Sequence, residues 1–194
     1  MRTPLFTLPF DVSTDVLERA ARIQLALFDV DGVLTDGRVI LGANDEYKCF
    51  DIKDGHGLRM LARHGITTGI ITGRSSAAVT RRAQELGITH VYQGCKEKLP
   101  FFHTLLAQLG LTPPQVAYMG DDWMDLPVML HAGLAVAVHD AHALVRQHAH
   151  WVTPSGGGRG AARELAELLV YARGGYDAEL ARYLAPAASP VASA

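Results

Sequence analysis

Six short apolar runs, at residues 23–30, 66–71, 90–92, 115–119, 134–138 and 151–153, alternate along the chain with stretches of helical periodicity. Runs this short do not suit most helices, and the first stops at carboxylates and glycine, as a buried parallel strand does. Helical patterns occupy residues 13–22, 55–64, 75–86, 98–109, 123–131, 141–147 and 159–173. Alternation of this kind predicts an α/β fold, a three-layer α/β/α arrangement around a doubly wound parallel sheet. Residues 38–41 and 46–50 flank the turn-rich Gly42-Ala43-Asn44-Asp45 and read as a small β-hairpin beside the carboxyl end of the first strand. The expected organisation is an N-terminal helical extension over 1–22, the α/β domain over 23–174 and a tail over 175–194. In the tail Ala, Pro and Ser become frequent and 185–194 lacks apolar periodicity, so a mobile end is expected.

Composition removes several classes. The 194 residues suit one core, and 48% hydrophobic with 20% charged residues is an ordinary globular balance. Eighteen basic against twenty acidic side chains give a net charge of -2, so no global field draws nucleic acid or anionic lipid. No run approaches the roughly 18 apolar residues of a membrane span, and residues 1–10 lack the pattern of a secretion signal. Cys49 and Cys95 are too few for a disulfide framework or a thiolate metal cage, so a reducing cytoplasm is the expected compartment. His148 and His150 lack a third ligand for zinc, and Gly156-Gly157-Gly158-Arg159-Gly160 lacks the Lys-Ser/Thr ending of a nucleotide loop.

In open parallel sheets, ligands bind beyond the carboxyl ends of the strands, so polar residues just after each apolar run are informative. Asp29 and Asp31 follow the first strand, Thr72-Gly73-Arg74 the second, Lys98 opens a helix, and Gly120-Asp121-Asp122 with Asp125 follows a later strand. Taken singly, an Asp-x-Asp is ordinarily a turn or a helix cap. Together, carboxylates converging on one rim repel one another unless a hard cation such as Mg²⁺ sits between them. A hydroxyl and an ammonium beside that cation suit a phosphoryl group.

At this point the chain resembles the haloacid dehalogenase superfamily, through Asp29-Val30-Asp31-Gly32-Val33-Leu34-Thr35, Thr72, Lys98 and Gly120-Asp121-Asp122-Trp123-Met124-Asp125. The resemblance implies that Asp29 is a nucleophile forming an aspartyl-phosphate. It implies that Asp31 protonates the leaving oxygen and then activates water, with Thr72 and Lys98 completing the catalytic set. Asp29, the Asp31 carbonyl and Asp121 would hold Mg²⁺. A free Asp near about 3.9 is protonated only about once in a thousand at neutral pH, so neighbouring anions must raise Asp31.

The chain is similar, more narrowly, to the capless phosphatases of 3-deoxy-D-manno-octulosonate 8-phosphate, a precursor of bacterial lipopolysaccharide. Asp36-Gly37, Lys53-Asp54-Gly55-His56-Gly57, Ile71-Thr72-Gly73-Arg74, Tyr92-Gln93-Gly94 and Gly157-Gly158-Arg159-Gly160 carry that likeness. No inserted cap domain lies between strand one and Lys98. The resemblance implies a homotetramer in which hairpins pack together and the glycine-rich carboxyl-terminal segment reaches an adjacent site. It also implies substrate contacts at Asp31, Asp51, Ile52, Lys53, Asp54, Gly55 and Lys98. Arg59, Arg74 and Arg82 are candidates for the carboxylate of the sugar acid. Cys95-Lys96-Glu97 departs from the family's usual residues before Lys98. Phosphatases of nine-carbon keto-deoxy sugar phosphates, a phospho-accepting receiver and a non-catalytic binding module are the alternatives. A receiver's accepting Asp follows the third strand, whereas Asp29 follows the first, and a non-catalytic relative would be expected to lose Asp29 or Asp31.

Overall fold

A computed structural model of the chain describes residues 6–43 and 46–184. The chain enters through α1 (Thr14–Ala20), capped by Ser13 whose hydroxyl accepts the Val16 N–H, and runs into β1 (Leu25–Phe28). The hairpin β2 (Ile40–Leu41) and β3 (Glu46–Tyr47) precedes α2 (Ile52–Arg63), β4 (Thr67–Ile71), α3 (Ala77–Leu86) and β5 (His90–Tyr92). Then come α4 (Leu99–Leu109), β6 (Val116–Gly120), α5 (Leu126–Met129), β7 (Leu134–Ala137), α6 (Ala143–His148), β8 (Trp151–Val152), α7 (Ala161–Ala172) and α8 (Tyr176–Leu184).

The main sheet has the order β5-β4-β1-β6-β7-β8, with all pairs parallel. From β1 the chain winds outward to β4 and β5, then crosses back to β6 and on to β7 and β8. Right-handed crossovers therefore put α2 and α3 on one face and α4, α5 and α6 on the other. α7 returns to the first face, where it packs along α2 and touches α1 and α8. Covered on both faces, β1 buries all four of its residues, which is why its sequence is continuously apolar. Val16 and Ala20 of α1 belong to the same core, so the amino-terminal helix is built into the domain. No helix among the described residues is long and apolar enough to cross a membrane.

Three elements differ from the sequence expectation. α2 begins three residues earlier than the periodicity suggests, because the Asp51 carboxylate accepts the Lys53 N–H at 2.7 Å and starts the helix ahead of its glycines. The helix expected over 123–131 is a 3₁₀ turn, Trp123–Asp125, followed by the short α5 with Pro127 in its first turn. The first part of the expected tail, Tyr176–Leu184, is α8. Its Glu179 is buried, accepts a hydrogen bond from Arg63 Nη2 and lies 3.1 Å from His64 Nε2. Burial pushes the Glu179 carboxyl up, but Arg63 and His64 outweigh it and hold the group below its ordinary value. Residues 185–194, where no periodicity was found, lie outside the described residues.

Candidate active site

β1 ends at the point where the winding reverses, between β4 and β6, and Asp29 is the first residue beyond it. The Asp29 N–H donates to Met119 O at 3.1 Å, so the turn starts from the sheet's own hydrogen bonding. The Val30 carbonyl then accepts the N–H groups of Val33, Leu34 and Thr35 at 3.2, 2.9 and 3.0 Å, closing a tight loop. Gly32 in that loop has φ of +89°, and a Cβ there would lie 2.1 Å from Asp121 Oδ2. Only glycine allows the two acidic loops to meet this closely. The glycine run braces the same loop: Gly158 N–H donates to Val33 O at 2.8 Å, and a Cβ on Gly157 would sit 1.8 Å from Gly32 O. The resemblance sent the glycine-rich segment toward an adjacent subunit. Here Gly157 and Gly158 pack against their own chain's acidic loop.

Carboxylate oxygens of Asp29, Asp121 and Asp125 lie within 4.8 Å of one another. They are not equivalent. Asp125 is wholly buried; its Oδ1 accepts from Lys98 Nζ and Tyr118 Oη, both at 2.6 Å, and its Oδ2 accepts the Asp121 and Asp122 N–H groups at 2.9 and 3.2 Å. With both oxygens occupied, Asp125 orients its neighbours and is not available as a metal ligand. Asp29 Oδ1 accepts the Val30 N–H at 2.6 Å, while Oδ2 pairs with Lys98 Nζ at 2.8 Å. Asp121 Oδ1 is buried with no hydrogen-bond partner among the described residues, a costly state for a carboxylate oxygen. The Asp31 carbonyl accepts no hydrogen bond among the described residues.

Burial, then the charge of Asp125, pushes the Asp29 carboxyl up to about 6 against the pull of Lys98. Burial, then Asp125 and Asp29, pushes Asp121 up to about 8. Lys98 is held above its ordinary value because Asp125 and Asp29 outweigh its burial. Three crowded carboxylates against one ammonium, with one oxygen of Asp121 orphaned, leave an excess of negative charge that a hard divalent cation at Asp29 and Asp121 would neutralise. The residues fit Mg²⁺ at Asp29, Asp121 and the Asp31 carbonyl.

Thr72 is buried at the end of β4, and the register that pairs Ile70 with Phe28 brings it to the same rim. Its N–H donates to Tyr92 O and its carbonyl accepts from Cys95, which leaves the hydroxyl without a partner among the described residues. The Asp31 carboxylate accepts from Lys48, and Arg74 Nε stands 3.7 Å from its Oδ2. Lys48, Tyr118, Glu46 and the clamping role of Asp125 were not anticipated.

The expected substrate contacts divide. Asp51, Ile52 and Lys53 form the head of α2, with Ile52 81% exposed and Asp51 used as the cap. The Asp54 side chain turns away and caps α7, accepting the N–H groups of Gly160 at 3.3 Å and Arg163 at 2.9 Å. Burial pushes the Asp54 carboxyl up to about 6 despite those donors. Gly55 makes room for Arg82, whose Nη2 would lie 2.2 Å from a Cβ at that position. Arg82 sits over the Phe50 ring, and Arg59 donates to Glu85 O. Both line a cleft of about 410 Å³ on the α2–α3 flank with His56, Arg63 and Tyr183, and none of Asp29, Thr72, Lys98 or Asp121 lines it. Within one chain, Arg74 alone of the three arginines stands at the acidic rim.

A doubly wound parallel sheet with acidic loops after its two central strands, and a lysine between them, defines a haloacid dehalogenase-like hydrolase. Residues 91–165 match the family model described as haloacid dehalogenase-like hydrolase. The chain is 50% identical over 163 residues to the 3-deoxy-D-manno-octulosonate 8-phosphate phosphatase of Yersinia pestis, covering 84% of this chain and 87% of that protein. The Escherichia coli K12 phosphatase of the same name is 48% identical, over 86% of this chain and 89% of its own. The Moraxella catarrhalis enzyme of that name, solved in complex with magnesium ion, phosphate ion and KDO, superposes with a TM-score of 0.86 at 40% identity, covering 87% of this chain and 98% of that one. The chain belongs to the 3-deoxy-D-manno-octulosonate 8-phosphate phosphatase family of haloacid dehalogenase-like hydrolases.

Proposed function

We propose that this chain hydrolyses 3-deoxy-D-manno-octulosonate 8-phosphate to the free sugar acid and phosphate, supplying lipopolysaccharide precursor synthesis in the cytoplasm. The observation that carries the reading is Asp29, paired with Lys98 and facing the unpartnered oxygen of Asp121. Asp29 attacks phosphorus, and Asp31 gives its proton to the departing sugar oxygen. Lys98 and the free hydroxyl of Thr72 hold phosphoryl oxygens, and Asp31 then takes a proton from the water that releases phosphate from Asp29. Mg²⁺ at Asp29, Asp121 and the Asp31 carbonyl supplies charge neutralisation for the phosphoryl group when bound.

Val39, Ile40, Leu41 and Tyr47 are exposed on a hairpin whose two short strands, among the described residues, pair only with each other. An apolar, open-edged ribbon of this kind supports a homotetramer assembled through hairpins. Arg59 and Arg82, set on the flank, are then placed to serve a neighbouring subunit's substrate, and their guanidinium groups suit its carboxylate. Free Cys49 and Cys95 suit a reducing compartment.

The direct test is phosphate release with magnesium over octulosonate 8-phosphate, a nine-carbon keto-deoxy sugar phosphate, a hexose phosphate and an aryl phosphate. The highest kcat/KM is expected for octulosonate 8-phosphate, and preference for the hexose phosphate sinks the sugar-acid assignment. Metal linkage gives a second expectation. Without metal, Asp29 and Asp121 bind protons more tightly folded than unfolded, having been raised to about 6 and about 8. Folded chains therefore carry the extra protons between about pH 4 and about pH 8, and metal-free stability falls as pH rises through that window. Magnesium replaces those protons, so it should raise the melting temperature more at about pH 8 than at about pH 5. An equal shift at both removes these two carboxylates from the metal site.

A further inference from the structure

Lys48 follows β3 directly, yet its side chain is only 2% exposed. Its Nζ donates to Asp31 Oδ1 and lies 2.9 Å from Glu46 Oε1. Arg74 enters from the loop after β4, donating to Glu46 Oε2 and standing 3.7 Å from Asp31 Oδ2. Two cations and two carboxylates alternate around a small ring, and Asp31 is the member that reaches the nucleophile's loop.

Asp31 is held differently from the other carboxylates of the site. Asp29 accepts a backbone N–H from its own turn, and Asp125 accepts two. Among the described residues, Lys48 supplies the one hydrogen bond to the Asp31 carboxylate, and Oδ2 is buried without any. A carboxylate with no local donor can occupy several staggered positions, so a side chain from another element must select one. Burying a lysine sacrifices hydration and rotamer freedom, and here the contact with Asp31 and Glu46 offsets that cost.

We infer that Lys48 is a positioning residue for the leaving-group acid, its buried ammonium fixing the orientation of the Asp31 carboxyl toward the departing oxygen. The inference rests on Asp31 being the acid, as proposed above. In that step a bond forms between an Asp29 carboxylate oxygen and phosphorus, the bond from phosphorus to the sugar oxygen breaks, and the Asp31 proton passes to that oxygen. Negative charge grows on Asp31 during the transfer. The ammonium at Oδ1 acts by orientation, holding the Asp31 carboxyl in the one staggered position from which the proton reaches the departing oxygen. The same contact ties the acid to the hairpin whose exposed residues form the proposed subunit contact.

Leaving-group dependence separates positioning of an acid from general structural support. A sugar alkoxide needs the proton to depart, whereas para-nitrophenolate leaves without it, and kcat/KM reports the steps through loss of the leaving group. Lys48→Met is expected to lower kcat/KM for octulosonate 8-phosphate about 30-fold, with less than about a threefold loss for para-nitrophenyl phosphate. Lys48→Arg should recover part of the difference. Equal losses on the two substrates, or no loss on either, overturn the inference. If methionine in the buried slot lowers the melting temperature below the assay range, Lys48→Gln is read by the same ratio. Asp31→Asn, measured in parallel, distinguishes the two levels: a flat ratio there removes Asp31 as the acid, whereas a steep ratio there with a flat one for Lys48→Met removes only Lys48.

Discussion

Asp29→Asn is expected to abolish phosphate release while leaving the chain folded and, without added metal, slightly more heat-stable than its parent. The amide cannot attack phosphorus, and loss of a covalent nucleophile lowers turnover on the order of 10⁴-fold or more. Asparagine keeps the shape of the site, because its oxygen can still accept the Val30 N–H that Asp29 Oδ1 accepts at 2.6 Å. Its amide nitrogen then faces Lys98, losing the 2.8 Å ion pair. Against that loss stands the removal of a charge from a crowded cluster, in which burial and Asp125 already push Asp29 up to about 6. Relief of repulsion should win by about 1 kcal/mol or less, since breaking one contact of a buried ion pair offsets much of the gain. Phosphate release and thermal melts on the same preparation check both halves. Appreciable hydrolysis with magnesium supplied would falsify the nucleophile assignment, and a collapsed melting temperature would assign Asp29 a structural role.

What the sequence revealed and what it concealed follow from the range of the interactions. β1 is legible because both faces of a central strand are covered and every residue must be apolar; Asp29, Thr72 and Asp121 are legible because each follows such a run, and Lys98 because it opens a helix within the same alternation. Lys48 is hidden because nothing in Glu46-Tyr47-Lys48-Cys49 says that the lysine points inward; that depends on where the hairpin folds back over Asp31. Tyr118 reads as one more apolar residue of β6, and only its register over Asp125 gives its hydroxyl a task. Asp125 stands at the correct rim in the sequence, but its clamping role depends on two side chains and two backbone N–H groups meeting it from four positions. Gly55 and Gly57 carry a packing role that only the fold shows: they make room for Arg82 and for α7, where a Cβ on Gly57 would lie 2.9 Å from Arg163 Cα. α8 did leave a trace, with Tyr176, Glu179, Leu180 and Tyr183 at helical spacing, but the Ala- and Pro-rich stretch beyond it obscured the pattern.

Asp125→Ala should cost both stability and catalysis, although Asp125 touches neither phosphate nor metal in the proposed mechanism. The substitution deletes the acceptor of four hydrogen bonds, leaving the buried Tyr118 hydroxyl and the Asp121 and Asp122 N–H groups unpaired and Lys98 with Asp29 alone. Removing a third carboxylate also relieves the repulsion that raises Asp29 and Asp121, so the net loss should be about 3 kcal/mol, less than four broken bonds would suggest. Asp125→Asn isolates the geometry from the cavity. A carboxylate accepts along both edges, whereas an amide accepts along one: if its oxygen serves Lys98 and Tyr118, its nitrogen meets two N–H donors, and the flipped amide meets Lys98. Lys98 is thereby freed to settle wholly on Asp29, masking the nucleophile, and kcat/KM should fall on the order of 10²-fold or more. Denaturant midpoints and kinetics of both variants check this, and wild-type turnover by Asp125→Asn shows that Lys98 is positioned without it. Asp125→Asn added to Lys98→Met separates the two routes. The part of the loss that runs through Lys98 disappears in the double variant, and the part that runs through the Asp121 and Asp122 N–H groups persists. The double variant should therefore lie below Lys98→Met by less than the full Asp125→Asn factor.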